Sequence, residues 1–376
     1  MQSKKIGLYL LLFFFLNWFI SSNTPCFAWG PIGHRMIAET AALLAARNLP
    51  TTWGPFLARH RFELGVYSIL PDAVFRHGDG KSGTLEGKTH YFDLDIAIGL
   101  KPGQPDFEKE TLKIPFDYKE AQKYLEKKIN NNEKFKTVGN APWRVEQLQD
   151  LAWNSLKSVK KIKGAYERGK TSSGEIKNIY DGIFYLGILS HYTGDSSMPY
   201  HALSDWNGYS IGQGGIHFYF ESDCVNYLEP GLSQSVLEEA LMHQKEWKEK
   251  WNQTYQSPAS VMLRMFLDSA LAVEAITKID SEKAITKYSK PGTETDAIRK
   301  SPEEICPIFK SILVGRLAKG AVLTDYFWEM VLPKSIDFSE SSKFQFSDFE
   351  TNPDYIVPKF DPSLFLAPLQ RPDKKD

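Results

Sequence analysis

The chain has 376 residues, 42% of them hydrophobic and 13% aromatic, with a formal net charge of -1. That is enough apolar material for one large domain or two small ones. The near-neutral balance excludes the broad basic field that bulk nucleic-acid binding requires.

Taken in chain order, the first element is a leader. Lys4 and Lys5 precede the apolar run 6–20 (IGLYLLLFFFLNWFI), which is followed by polar SSNTP and then Cys26, Phe27 and Ala28. Basic, apolar, then small is the order of a secretory signal peptide. Fifteen residues fall short of the roughly 20 needed to span a bilayer as a helix. The expectation is a signal peptide over 1–28, a mature protein beginning at Trp29, no integral membrane span after processing, and secretion to a periplasm or the extracellular space. Cys224 and Cys306 then remain; an exported chain can join them in a disulfide or keep them as two buried thiols.

Helical periodicity dominates the chain beyond the leader. Apolar residues recur at helix spacing over 32–49, 145–159, 179–194, 232–251, 261–279 and 303–331,. Gly and Pro clusters mark loops at 77–87, 100–105, 206–215 and 289–293,. No series of alternating strands appears, so the expected fold class is all-α, a single multi-helix domain over 29–332. Residues 333–376, rich in Pro, Ser, Asp and Phe, read as a tail too short for a domain of its own.

The eight histidines are unevenly placed. His191 and Asp195 stand four apart near the end of a predicted helix, so they project from one face and can reach a common ion. Pro199 should stop that helix before His201. Next come His217 and Glu221 in HFYFE, again four apart. As a strand this segment would hold the two side chains about 13 Å apart; as a helix they converge. The surplus of ligand-type residues around it favours the helix. Upstream, Asp72 and His90 add a carboxylate and an imidazole beside a Gly-rich loop. Imidazole and carboxylate without thiolate point to zinc or a similar divalent ion, and the donors exceed what one tetrahedral ion uses. His60, His77 and His243 lack such partners and read as ordinary surface or core residues.

The motifs WGPIGH, HYTGDSSMPYH and GIHFYFE together resemble the zinc-dependent phospholipase C and S1/P1 nuclease superfamily, all-α proteins with three clustered zinc ions. The likeness covers Trp29 to Glu221. It implies a first zinc held by Asp72, His90, His191 and Asp195, and a second held by His201, His217 and Glu221. A third would be held by the amino group and carbonyl of Trp29 with His34, Asp195 bridging to the first. A nitrogen inside a peptide is no metal ligand, whereas a terminal amine is. Cleavage after Ala28 would therefore complete the third site, and the precursor is expected to be inactive.

Two features point to different branches. The five-residue step from Trp29 to His34 resembles the nucleases and some Gram-negative phospholipases, the bacillus-type phospholipases having a longer step. The HxxxE of His217 and Glu221, without the GGN element and HxxxD of the nucleases, resembles the bacterial phospholipases C. The resemblance thus implies a zinc-dependent phospholipase C that cleaves phospholipids such as phosphatidylcholine at a membrane or micelle surface, giving diacylglycerol and a phosphorylated head group. No stable nucleic-acid complex is expected. Asp72 is the expected general base, with Glu221 the competitor. The alternatives are a single-strand nuclease with the same three zinc ions and a noncatalytic exported metal-binding module. A choline pocket would need aromatic faces and a carboxylate. Tyr67, Phe75, Tyr91, Phe92 and Trp206 are the aromatic candidates, each of which can equally be core packing.

Overall fold

The computed structural model describes residues 29–77, 85–129, 138–166, 174–346 and 358–360. The expected leader, 1–28, lies outside the described residues, as do most of 347–376. The chain is all-α: α1 (Gly30–Asn48), α2 (Trp53–Arg59), α3 (Arg61–Ala73), α4 (Leu94–Ile98), α5 (Phe107–Thr111), α6 (Tyr118–Lys128), α7 (Ala141–Leu156), α8 (Gly174–Ser197), α9 (Ile216–Phe218), α10 (Cys224–Thr254), α11 (Pro258–Ile279) and α12 (Pro302–Val331). Among the described residues, strands are limited to two short pairs. Of these, β1 (Ala165–Tyr166) runs parallel to β4 (Gln345–Phe346), and β2 (Ile285–Lys287) is antiparallel to β3 (Ile298–Arg299).

Helix α8 is the axis of the molecule. From Leu186 to Ser197 every residue is buried, as expected of a helix wrapped on all sides. Its neighbours are α7, α3, α12, α11 and α1. Two glycines set how closely they approach. A Cβ on Gly187 would lie 2.5 Å from Cβ of Tyr67 on α3, so only glycine allows that contact. Gly182 does the same for Leu156 of α7, where an added Cβ would meet the Leu Cγ at 2.4 Å.

The end of α8 is held electrostatically as well. Arg316 on α12 donates from Nε to the Ser197 carbonyl at 2.7 Å, placing a cation at the helix C-terminus, where the macrodipole favours it. Pro199 follows in a short 3-10 turn, Pro199–Ala202, so the helix stops where proline requires. Helix α11 starts with a reciprocal cap between Ser257 and Ser260, which satisfies two otherwise orphaned backbone donors.

Cys224 and Cys306 form a disulfide, 82 residues apart, tying the start of α10 to the first turns of α12. Closing a loop of that length stabilises by about 4 kcal/mol through the unfolded chain. The described start of the tail packs on the domain. The Trp53 indole donates to the Pro333 carbonyl, and Phe338, Phe344 and Phe346 make ring contacts with Trp53, Phe56, His60 and Tyr67. Among the described residues no helix is long and apolar enough to cross a membrane.

Candidate metal centre

His34 comes from the first turns of α1 and Asp72 from the last turn of α3. His90 lies on the loop before α4, His191 and Asp195 on the last turns of α8, and His201 on the 3-10 turn after it. His217 lies on α9, and Glu221 sits in the π-helical turn Tyr219–Asp223 that carries α9 into α10. HFYFE is therefore helical, the alternative that lets its two ligands converge. A π turn is a common local distortion at functional sites, and here it leaves His217 Nε2 2.8 Å from Glu221 Oε2.

Glycine again permits the meeting of elements. An added Cβ on Gly194 would come within 3.1 Å of His34 Nδ1, and the rings of His34 and His191 stack at 3.8 Å. Trp29 lies in the left-handed region, φ 51°. Its indole is buried and donates to the Gly194 carbonyl at 2.8 Å, which pins the start of α1 to the end of α8. The main-chain nitrogen of Trp29 donates to Glu221 Oε2 at 2.9 Å, while its carbonyl accepts from Gly33 at 3.0 Å.

The eight side chains fall into overlapping groups able to hold metal ions: His90, His191 and Asp195; His201, His217 and Glu221; and His34 with Asp72 and His191. In the first, His191 Nε2 is 2.9 Å from His90 Nδ1. Asp195 Oδ2 is 3.0 Å from His90 Nδ1 and 3.3 Å from His191 Nε2. Asp72 Oδ1 stands 3.6 Å from His90 Nδ1 and 3.9 Å from His191 Nε2. Donors about 2.0–2.1 Å from a tetrahedral zinc stand about 3.3 Å apart, so the spacing suits one ion. The second group is the set expected from the sequence. His34 Nε2 lies 3.4 Å from Asp195 Oδ1, which puts Asp195 between the first group and His34, while Glu221 joins the second group to Trp29.

Electrostatics point the same way. Burial pushes Asp72 up to about 7 against the pull of Arg76. Asp195 is driven well above the carboxylate range by burial and then by the charge on Asp72. Burial also holds His90, His191 and His201 well below the usual histidine range and takes His217 down to about 3. Neutral imidazoles are what a metal binds. Asp195 is costly to bury as an anion unless a cation answers it, and Arg76 answers only one oxygen of Asp72. Both oxygens of Asp195 and Oδ2 of Asp72 are buried without a hydrogen-bond partner. Hydrogen-bonded structural groups rarely leave such atoms; metal ligands do.

Backbone carbonyls orient two rings. His191 Nδ1 meets the Ser68 carbonyl and His201 Nδ1 the His90 carbonyl, each at 2.7 Å, which turns Nε2 inward in both. His90 is reversed: Nδ1 faces the cluster and Nε2 is 3.9 Å from Glu86. Glu86 is held by Arg144 at 3.1 Å and by the Tyr192 hydroxyl.

Sequence reasoning missed Arg76, Glu86, Arg144 and Tyr192. The signal existed for two of them: Arg76 follows Asp72 by four residues and Glu86 precedes His90 by four. Arg76 Nη1 is 2.9 Å from Asp72 Oδ1. A cleft of about 410 Å³ opens over the centre, lined by Arg76, His90, His201 and His217 together with Tyr91, Asp93, Tyr200 and Trp206. Of the five aromatic candidates, Tyr91 and Trp206 line it. Phe92 packs on Trp143 and Phe266, Tyr67 packs on Tyr180 and Phe184, and Phe75 is buried off the cleft. The remaining histidines stand apart from the centre. His60 packs among Phe56, Phe344 and Phe346, His243 lies beside Glu239, and His77 is exposed.

No family model matches this chain, and no curated protein matches it.

Proposed function

We propose that the protein is an exported zinc-dependent phosphodiester hydrolase of the phospholipase C type, cleaving phospholipids such as phosphatidylcholine into diacylglycerol and a phosphorylated head group. The observation that carries this reading is the convergence of eight buried ligand side chains from distant segments beneath one cleft. The donor set exceeds the needs of a single structural ion, and Asp72 and Asp195 keep buried oxygens without partners.

The residues that would hold three ions are Asp72, His90, His191 and Asp195; His201, His217 and Glu221; and Trp29 with His34. Zinc, when bound, supplies Lewis acidity: it draws charge from phosphoryl oxygens and acidifies water near neutral pH. The chain's own part is positioning and proton handling. Arg76 lies in the cleft wall, and its planar guanidinium suits two oxygens of a phosphodiester. Glu221 Oε2 already meets His217 and Trp29. Asp72 Oδ2 has no donor, so Asp72 is the better placed proton acceptor. Tyr91, Tyr200 and Trp206 line the cleft and are the aromatic candidates for a cationic head group,.

The amide of Trp29 donates a hydrogen bond to Glu221; as a terminal amine the same nitrogen can offer a lone pair instead. Processing after Ala28 would then complete the ligand set.

The purified protein should lose activity on chelation and regain it with zinc. It should hydrolyse phosphatidylcholine in a side-by-side assay with single-stranded DNA. Rapid DNA cleavage without lipid cleavage would replace this proposal with the nuclease reading, and zinc binding with no activity on either would favour a noncatalytic module.

A further inference from the structure

Large exposed apolar side chains gather beside the mouth of the cleft. Trp206 and Ile211 lie on the loop 206–215, Phe218 ends α9, and Tyr288 and Ile298 belong to the β2–β3 hairpin; all five are 39% to 56% exposed. Loop and hairpin form one surface. Ser289 N donates to the Gly212 carbonyl, Gly292 N to Tyr209 and Ala297 N to Gly214, each at 2.9 Å.

Arg299 locks the two together from below. Its guanidinium donates to the carbonyls of Gly214 and Gln213 at 2.8 and 2.6 Å and pairs with the buried Asp280 through two bonds of 2.8 and 2.9 Å. The apolar side chains are thus held outward by a rigid frame. Such a patch on a water-soluble surface marks an interaction site.

Its chemistry selects the occupant. Tryptophan, tyrosine and isoleucine suit the boundary between head groups and acyl chains. Between residues 278 and 300 five lysines are exposed (Lys278, Lys283, Lys287, Lys290 and Lys300) against three exposed acids (Glu282, Glu294 and Asp296). That local excess of positive charge contrasts with a chain of net charge -1, and it suits lipid phosphates. Trp206 belongs both to this surface and to the cleft wall, its ring edge-on to His217 at 5.6 Å.

We propose that the 206–215 loop and the β2–β3 hairpin seat the protein on a phospholipid bilayer, so that the cleft opens onto the head groups. This rests on the phospholipase reading and adds to it the surface that finds the lipid.

The test compares the protein with the triple variant Ile211→Ser, Tyr288→Ser, Ile298→Ser, and with Lys287→Glu, Lys290→Glu. Sedimentation is measured with phosphatidylcholine vesicles, with and without phosphatidylglycerol. Hydrolysis of a short-chain phosphatidylcholine below its micelle concentration is measured alongside. The triple variant should bind vesicles at least about tenfold more weakly and still hydrolyse the monomeric lipid. The charge variant should lose the added affinity for anionic vesicles. In the unsubstituted protein, vesicles should protect Lys287 and Lys290 from acetylation, a readout independent of any variant's folding. Leu43→Ser with Phe62→Ser, apolar residues exposed elsewhere, should change none of these. Absence of vesicle binding, unprotected lysines, equal loss in the Leu43 and Phe62 variant, or binding to a single-stranded oligonucleotide in place of vesicles would each overturn the surface. Vesicle binding through this surface without hydrolysis of any phospholipid would overturn the proposed reaction and leave the surface standing.

Discussion

Asp195 and Asp280 are both fully buried carboxylates, and their surroundings are opposite. Asp280 meets Arg299 through two parallel bonds and needs nothing further. Asp195 faces His34, His90 and His191 at 3.0 to 3.4 Å, rings that burial holds neutral where the shift is resolved, and neither of its oxygens has a hydrogen-bond partner. Burial alone does not separate a structural acid from a ligand. The presence or absence of a protein cation does, because an uncompensated buried anion is too costly to keep for packing.

The strongest way to break this contrast is Asp195→Asn. It should reduce the proposed phosphodiesterase turnover by about a thousandfold or more, and elemental analysis should find more than one equivalent of metal lost, since Asp195 touches groups of two proposed sites. Normal turnover with full metal content would remove its bridging role.

Arg299→Ala should act on the other side of the comparison. Leaving Asp280 buried and alone costs about 3–5 kcal/mol of unfolding free energy, read by denaturant titration, while the metal content of the folded protein is unchanged. Equal loss of metal would mean that the two regions are not independent.

A pH series sharpens the contrast further. In metal-stripped protein, Asp72 is raised to about 7 from an unfolded value of 3.8, so the folded state binds more protons between those limits. Its contribution is present below the unfolded value and lost as pH rises through 7. Relative to Asp72→Asn, the stripped protein should lose stability steadily as pH rises across that window, on the order of 1 kcal/mol per pH unit. A stability difference that is flat with pH would show that Arg76 is countercharge enough for Asp72 without metal.

The smallest effect belongs to His243, half-exposed beside Glu239 and Trp247. His243→Ala should change stability by less than about 0.5 kcal/mol and leave the metal content intact.

The long helices were legible because each carries an apolar period over many turns: α1, α7, α8, α10, α11 and α12 fall where the pattern places them. Helices α2 and α3 were not read. The first is only seven residues long, and the second has Pro71 in its last turn, a residue that reads as a helix stop,. Helix α6 carried a signal that went unused, Asp117 capping Glu120. In the centre, His191 with Asp195 and His217 with Glu221 were legible because helix geometry brings residues four apart onto one face. The same spacing concealed Arg76 and Glu86, since one lies beyond a proline and the other beside a Gly-rich loop.

The sequence by itself determined the all-α class, the position of the proline stop after α8 and the short-range ligand pairs, because each depends on dihedral preference and spacing within a turn or two. Only the tertiary structure decided that Trp29 meets Glu221, that Asp195 lies between His34 and His90, and which aromatics line the cleft. Those meetings join residues up to 192 apart. They depend on how closely helices pack at Gly187 and Gly194, and the local chain does not encode that distance.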